Sequence, residues 1–153
     1  MSKFAIQCIG NFDFGESAYT SGIYVQTPDG AFPSKDWTDF TETVLDWWVT
    51  ECKSIYLGAD RKYCLRFMDG PFSILCSKKG WELTLSFLRY QAKMLPDCAV
   101  TLKDFARTLD RAIETQIRQL YLAGHSTQNM EGLRRELSTV IQHLREDANE
   151  AHD

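Results

Sequence analysis

The stretch A-F-P-S-K-D-W-T-D-F-T-E-T-V-L-D-W-W-V-T-E-C-K-S-I-Y (31–56), followed after a short polar break by Y-C-L-R-F-M-D-G-P-F (63–72), decides how this chain is read. Trp37, Phe40, Val44, Trp48, Cys52 and Ile55 step by three or four, the spacing that lines up one face of an α-helix. Asp36 stands where an N-cap belongs, with Asp39 three residues on, and Gly58 marks the stop. At about 100° per residue, Asp36, Asp39, Glu42 and Asp46 gather on the opposite side, with Trp47 on the flank between the two faces. The second stretch reads as a strand, a turn at Asp69-Gly70 and another strand.

Working outward, residues 3–9 read as a strand, and 22–26 as a second one closed by the turn signal T-P-D-G (27–30). The polar, aromatic-dotted run 10–22 between them is a loop or a loose hairpin. Beyond the helix, 63–68, 71–76 and 81–88 form a meander. Its last strand alternates Leu83, Leu85 and Phe87 inward with Glu82, Thr84 and Ser86 outward. Pro96 separates the meander from a helical third. T-L-K-D (101–104) is a capping-box variant opening a stripe of Leu102, Phe105, Leu109, Ile113, Ile117 and Leu120, and Gly124 is the natural stop. A third helix carries Met130, Leu133, Leu137, Val140, Ile141 and Leu144; the short link makes the two an antiparallel hairpin, and residues 146–153 are expected to fray. The order predicts one α+β domain over 1–153: a mostly antiparallel sheet of about five strands packed on one central amphipathic helix and a C-terminal helical hairpin.

A chain of 153 residues with 44% hydrophobic and 25% charged residues can bury a normal core. Its net charge of −4 argues against nucleic acid as a partner and permits a basic protein. The opening M-S-K-F-A-I-Q-C-I-G has no apolar run of signal-peptide length, and no stretch approaches the roughly 18 apolar residues of a membrane span. With Cys8, Cys52, Cys64, Cys76 and Cys98 scattered and no C-x-x-C, the expectation is buried reduced thiols in a cytoplasmic protein.

No metal or cofactor signature emerges. His125, His143 and His152 have no metal-ligand spacing and read as solvated surface residues. G-x-S-x-G and the glycine-rich phosphate loops are absent. The acidic stripe is either a solvated face or a protein-binding surface, since acid–base work needs burial to shift a pKa. Asp69 is a turn residue or a contact. Trp37 and Trp48 read as core, and Trp47, beside carboxylates, as a partly exposed interface anchor. The candidate partner-binding set is therefore Asp36, Asp39, Glu42, Asp46, Trp47 and Asp69, and no enzyme activity is expected.

The pattern F-P-x-x-x-W-x-D-F (32–40), the L-x-W-W step (45–48) and F-M-D-G-P (67–71) resemble a group of small bacterial immunity proteins encoded beside polymorphic or contact-dependent growth-inhibition toxins. The resemblance covers about forty residues, and the helical hairpin has no signature of its own. It implies a toxin inhibitor that binds one cognate toxin domain, basic and in some cases a nuclease, and blocks its active site. No contact residue carries over by position. Two other readings stay open: a small ligand-binding or enzymatic domain with Asp69, Tyr24, Arg66 and His125 converging on a pocket, or a homodimer or regulatory subunit associating through the Leu133–Leu144 stripe.

Overall fold

The structure is a computed structural model that describes residues 4–150. Lys3, His152 and the last three residues lie outside the described part. The chain runs β1 (Ala5–Phe14), β2 (Tyr19–Thr27), β3 (Gly30–Phe32), β4 (Thr38–Asp39), α1 (Thr41–Leu57), β5 (Lys62–Arg66), β6 (Phe72–Lys79), β7 (Glu82–Arg89), β8 (Ala92–Thr101), α2 (Leu102–Leu122) and α3 (Gln128–Glu150). The class is α+β, but the expected single sheet of about five strands is two antiparallel sheets of four strands each.

The reason is β2. It pairs with β1 on one edge, while its other edge is taken by two short pieces, β3 opposite Val25–Thr27 and β4 opposite Ser21 and Gly22. Both edges of β2 are thus taken before the chain enters α1, and β5 pairs with none of the first four strands but begins a second sheet. Residues 10–22 form the β1–β2 hairpin, with a bulge between Ile9 and Asp13 and a tight turn in which the Gly15 N–H donates to the Ala18 carbonyl at 2.8 Å.

The second sheet is the expected meander with one strand more, β5-β6-β7-β8. Along β7, Leu83, Leu85 and Phe87 are buried and Glu82 and Thr84 exposed, as the alternation requires. Pro96 lies inside β8 and does not end the sheet. Cys98 pairs with Leu85 and Leu95 with Phe87, so Pro96 and Asp97 stand opposite Ser86 alone. A bulge on an edge strand is where a residue without an N–H is tolerated.

The helix of the opening stretch starts at Thr41, not at Asp36. Residues 34–40 are occupied otherwise. Ser34 Oγ donates to Asp36 Oδ1 at 2.7 Å, the Trp37 N–H donates to the Ser34 carbonyl, and Thr38–Asp39 extends onto β2. Short polar side chains that bond locally compete with helix in this way. From Val44 onward the expected face holds: Val44, Trp48, Cys52 and Ile55 are buried, joined by Leu45 and Val49. A fully buried side chain of Trp48's size removes roughly 150–250 Å² from water, and its indole N–H still donates to the Arg66 carbonyl at 2.9 Å.

At α2, Thr101 Oγ1 accepts from the Asp104 N–H at 3.1 Å, so the cap stands where the sequence put it. Gly124, with φ +71°, closes the helix as the His125 N–H reaches the Leu120 carbonyl. The α3 stripe Met130, Leu133, Leu137, Val140 and Leu144 is buried, with Ile141 half-buried, because α3 packs on both α1 and α2. Helix α3 continues through the segment expected to fray as far as Glu150, and Tyr56 Oη donates to Asp147 Oδ2 at 2.9 Å. One continuous core, from Ile23 and Phe32 through Trp48, Phe87 and Ile113 to Leu137, joins both sheets and all the described helices.

Candidate functional site

The six carboxylate and tryptophan candidates separate into different places. Asp36 is exposed in the Ser34–Trp37 turn. Asp39 is buried, at 1% exposure, and is no part of a helical stripe. Its carboxylate accepts the N–H of Phe40 at 2.7 Å, the Trp37 indole N–H at 3.1 Å and, from thirty residues away, the N–H of Asp69 at 3.2 Å. Burial outweighs these bonds and holds its pKa above the ordinary 3.8. Asp69 itself is exposed, its backbone committed to that bond.

Around this junction the two halves of the opening stretch pack together. The Trp37 ring meets Phe72 at 5.1 Å and Phe67 at 6.4 Å, and Phe32 meets both phenylalanines. Gly70, with φ +72°, passes so close that a Cβ there would lie 2.9 Å from Trp37 Cη2. The F-P-x-x-x-W-x-D-F and F-M-D-G-P segments thus carry architecture: each supplies what the other needs to fold.

Glu42 and Asp46 do share a face of α1, one turn apart, where α1 meets α3. They line a shallow cavity of about 400 Å³ together with Gln128, Asn129 and Glu136 of α3. Asn129 Nδ2 donates to Glu42 Oε1 at 2.7 Å, and Glu136 faces Lys53 at 3.7 Å. Asp46 has no cationic partner among the described residues. Trp47 is 42% exposed and turns the other way, into a groove against β5 that also holds Glu51, Arg61, Lys62 and Arg66. The tryptophan therefore borders cations rather than the acidic face.

A deeper cavity of about 310 Å³ adjoins the acidic groove, sharing Glu42, Thr43 and Asn129 with it. Three elements build it: the tip of the β1–β2 hairpin, the start of α1 and the α2–α3 turn. His125 is exposed but not merely solvated. Its ring stacks on Phe14 at 4.5 Å and 8°, and Tyr19 meets it edge-on at 5.9 Å. Gln116 holds Tyr19 in place, Nε2 donating to the phenol oxygen at 3.0 Å, within a buried polar chain that reaches Ser21 and Thr41. Burial raises the Tyr19 pKa, with the neighbouring Glu42 carboxylate adding to the shift. The phenol therefore stays protonated at neutral pH. Glu16, exposed at the hairpin tip, supplies a second carboxylate. Phe14, Glu16, Tyr19, Asn129 and Glu136 were not singled out from sequence. The only signal for the first three was the aromatic punctuation of residues 10–22, which has no strand or helix period.

The convergence on which an enzymatic reading would rest is not found. His125 lines the hairpin cavity and Arg66 the Trp47 groove, and neither space is lined by Asp69 or Tyr24. Burial pushes the Cys8 and Cys52 thiols up to about 12 and Cys76 higher still, so these are not thiolates at neutral pH. Cys64 and Cys98 are half-buried. Among the described residues no three His, Cys, Asp or Glu side chains group to hold a metal ion, and no helix is long and apolar enough to cross a membrane.

Comparison with family models, with curated proteins and with solved structures returns no match.

Proposed function

We propose that this chain is a non-catalytic binding protein, an immunity protein that acts in the cytoplasm by binding a basic toxin domain and occluding its substrate site. The observation that carries this reading is the concave acidic surface where α1, α3 and the β1–β2 hairpin meet. Glu16, Glu42, Asp46 and Glu136 line its two adjoining cavities, and Lys53, paired with Glu136, is the cation nearest in the ion-pair network. Such a surface attracts a cationic partner over a Debye length of about 8–10 Å and presents the charge pattern of a nucleic-acid backbone to a nuclease groove. Asp36, Asp39 and Asp69 are not needed for it. The resemblance carried by residues 32–71 agrees with the reading but supplies no contact residue.

The test is co-expression with a toxin-like gene encoded beside this one, and a neighbourhood without such a gene would itself remove the immunity reading. The combined variant Asp46→Lys, Glu136→Lys should abolish protection of the cells while leaving the urea unfolding midpoint close to that of the parent. Undiminished protection would remove the acidic surface from the mechanism, and turnover of any small compound by the purified chain would remove the wider reading.

A further inference from the structure

We infer that the cavity at the β1–β2 hairpin tip is a socket for one arginine side chain of the basic partner, a refinement that rests on the binding reading above. Its walls are of two kinds. Phe14, Tyr19 and Phe40 supply aromatic surface, and Glu42 and Glu16 supply negative charge. His125 is already stacked on Phe14, so the remaining aromatic surface is what an incoming group would meet.

Aromatic surface next to carboxylates is the chemistry that recognises a planar, weakly hydrated guanidinium. Such a group stacks on rings and pairs with a carboxylate through two parallel N–H bonds. Glu42 is prepared for that role. Asn129 donates to Oε1 at 2.7 Å and the Tyr19 phenol is hydrogen-bonded to the same carboxylate, so its position in the cavity is fixed. The volume of about 310 Å³ is at the small end for a ligand pocket, about 300–1,000 Å³, and so suits a single side chain. The rim carries further anchoring surface in Phe14, at 43% exposure, and in half-buried Phe40. Exposed aromatics around a recessed charge are what a localised binding hot spot uses.

The experiment is an NMR titration of the full ¹⁵N-labelled chain with N-acetyl-arginine amide, and with N-acetyl-citrulline amide as the neutral isostere. The arginine probe should shift the amides of residues 14–19, 40–43 and 125–129 and saturate. Citrulline should bind about tenfold more weakly or worse. Glu42→Gln and, independently, Glu16→Gln at the exposed tip should each weaken arginine binding several-fold with the spectrum otherwise unchanged. Equal shifts from both probes, or arginine shifts confined to the Asp46–Glu136 groove, would overturn the socket. The two proposals fail separately. Loss of protection in the Asp46→Lys, Glu136→Lys variant without arginine binding at the hairpin leaves the partner reading standing and removes the socket. Arginine binding there with protection intact in that variant removes the acidic groove instead.

Discussion

The Asp39 carboxylate closes the fold at a point where a helix cap was expected. It gathers N–H groups from Trp37, Phe40 and Asp69, and removing it would leave these part-buried donors without it, at up to about 1 kcal/mol for each. Its raised pKa gives a pH signature. The folded state keeps the Asp39 proton to higher pH than the unfolded chain does, so it binds more protons between the ordinary 3.8 and the raised value. Stability contributed by this group must therefore fall as pH rises through that window and level off above it. Asp39→Asn removes the titration. The stability of the parent relative to this variant, from urea melts between about pH 3 and pH 7, should decline with rising pH; a flat or rising difference would show that the hydrogen bonds outweigh burial. Gly70 is the matching constraint on the other strand connection. Gly70→Ala places a Cβ at φ +72° and 2.9 Å from Trp37 Cη2. The expected cost is about 2 kcal/mol or more in the same melts, from left-handed strain plus the displaced ring. A loss below about 0.5 kcal/mol, the usual size of a surface substitution, would mean that the Trp37 packing is dispensable.

Among the elements, α1 draws its C-terminal cap from a strand. No side chain caps its N-terminus, and its last turn has no basic residue. The C-terminal carbonyls are met from another element instead. Lys78 of β6 is buried, and its Nζ donates to the carbonyls of Ile55 and Gly58, each at 2.7 Å. A cation at that end of a helix satisfies orphan carbonyls and the macrodipole together. Lys78→Met keeps the stem and deletes the donors, and should cost about 2 kcal/mol, the scale of a charged hydrogen bond. Amide exchange should speed up first over residues 54–58; unchanged exchange there would show that the cap is idle. This cap also marks the limit of what sequence revealed. Wherever an element is set by its own neighbours, the reading held: the Thr101–Asp104 cap, the alternation of β7, the Val44–Ile55 face. Where a distant group decides, it failed. Asp36 and Asp39 look like a helix start until the Asp69 N–H, thirty residues on, takes Asp39. Strand β8 is largely exposed and contains Pro96, so neither period nor propensity announced it. For the candidate site, Glu42 and Asp46 were legible as polar positions of a periodic helix. The hairpin cavity was not, because Phe14 and Tyr19 sit at the paired ends of two strands that close on a segment open to a loop or a loose hairpin, and no spacing foretells which ring will meet His125.

For the molecule as a whole, the excess of acid is small, 21 Asp and Glu against 17 Lys and Arg, and its distribution matters more than its size. Several cations are bound up within the fold. Lys78 is buried on carbonyls, and Arg134 pairs with Asp110 at 3.1 Å and Glu114 at 3.3 Å. Arg61, Lys62 and Arg66 sit by Trp47, in a groove other than the α1–α3 one. The acidic surface therefore has a stronger field than a net charge of −4 suggests. Exposed carboxylates of this kind act mainly during approach, whereas packing in a socket acts mainly on departure. Raising the salt from about 0.05 M to 0.5 M shortens the Debye length from roughly 14 Å to 4 Å. The association rate constant with the proposed basic partner should then fall about tenfold or more while the dissociation rate changes by no more than about threefold. Stopped-flow mixing, using Trp47 fluorescence where it responds and a labelled partner where it does not, separates the two rates. If the loss of affinity with salt falls on dissociation instead, the carboxylates are buried in the complex and act as contacts rather than as a guiding field. If neither rate moves, the complex forms elsewhere on this chain, and the basic groove beside Trp47 becomes the surface to mutate.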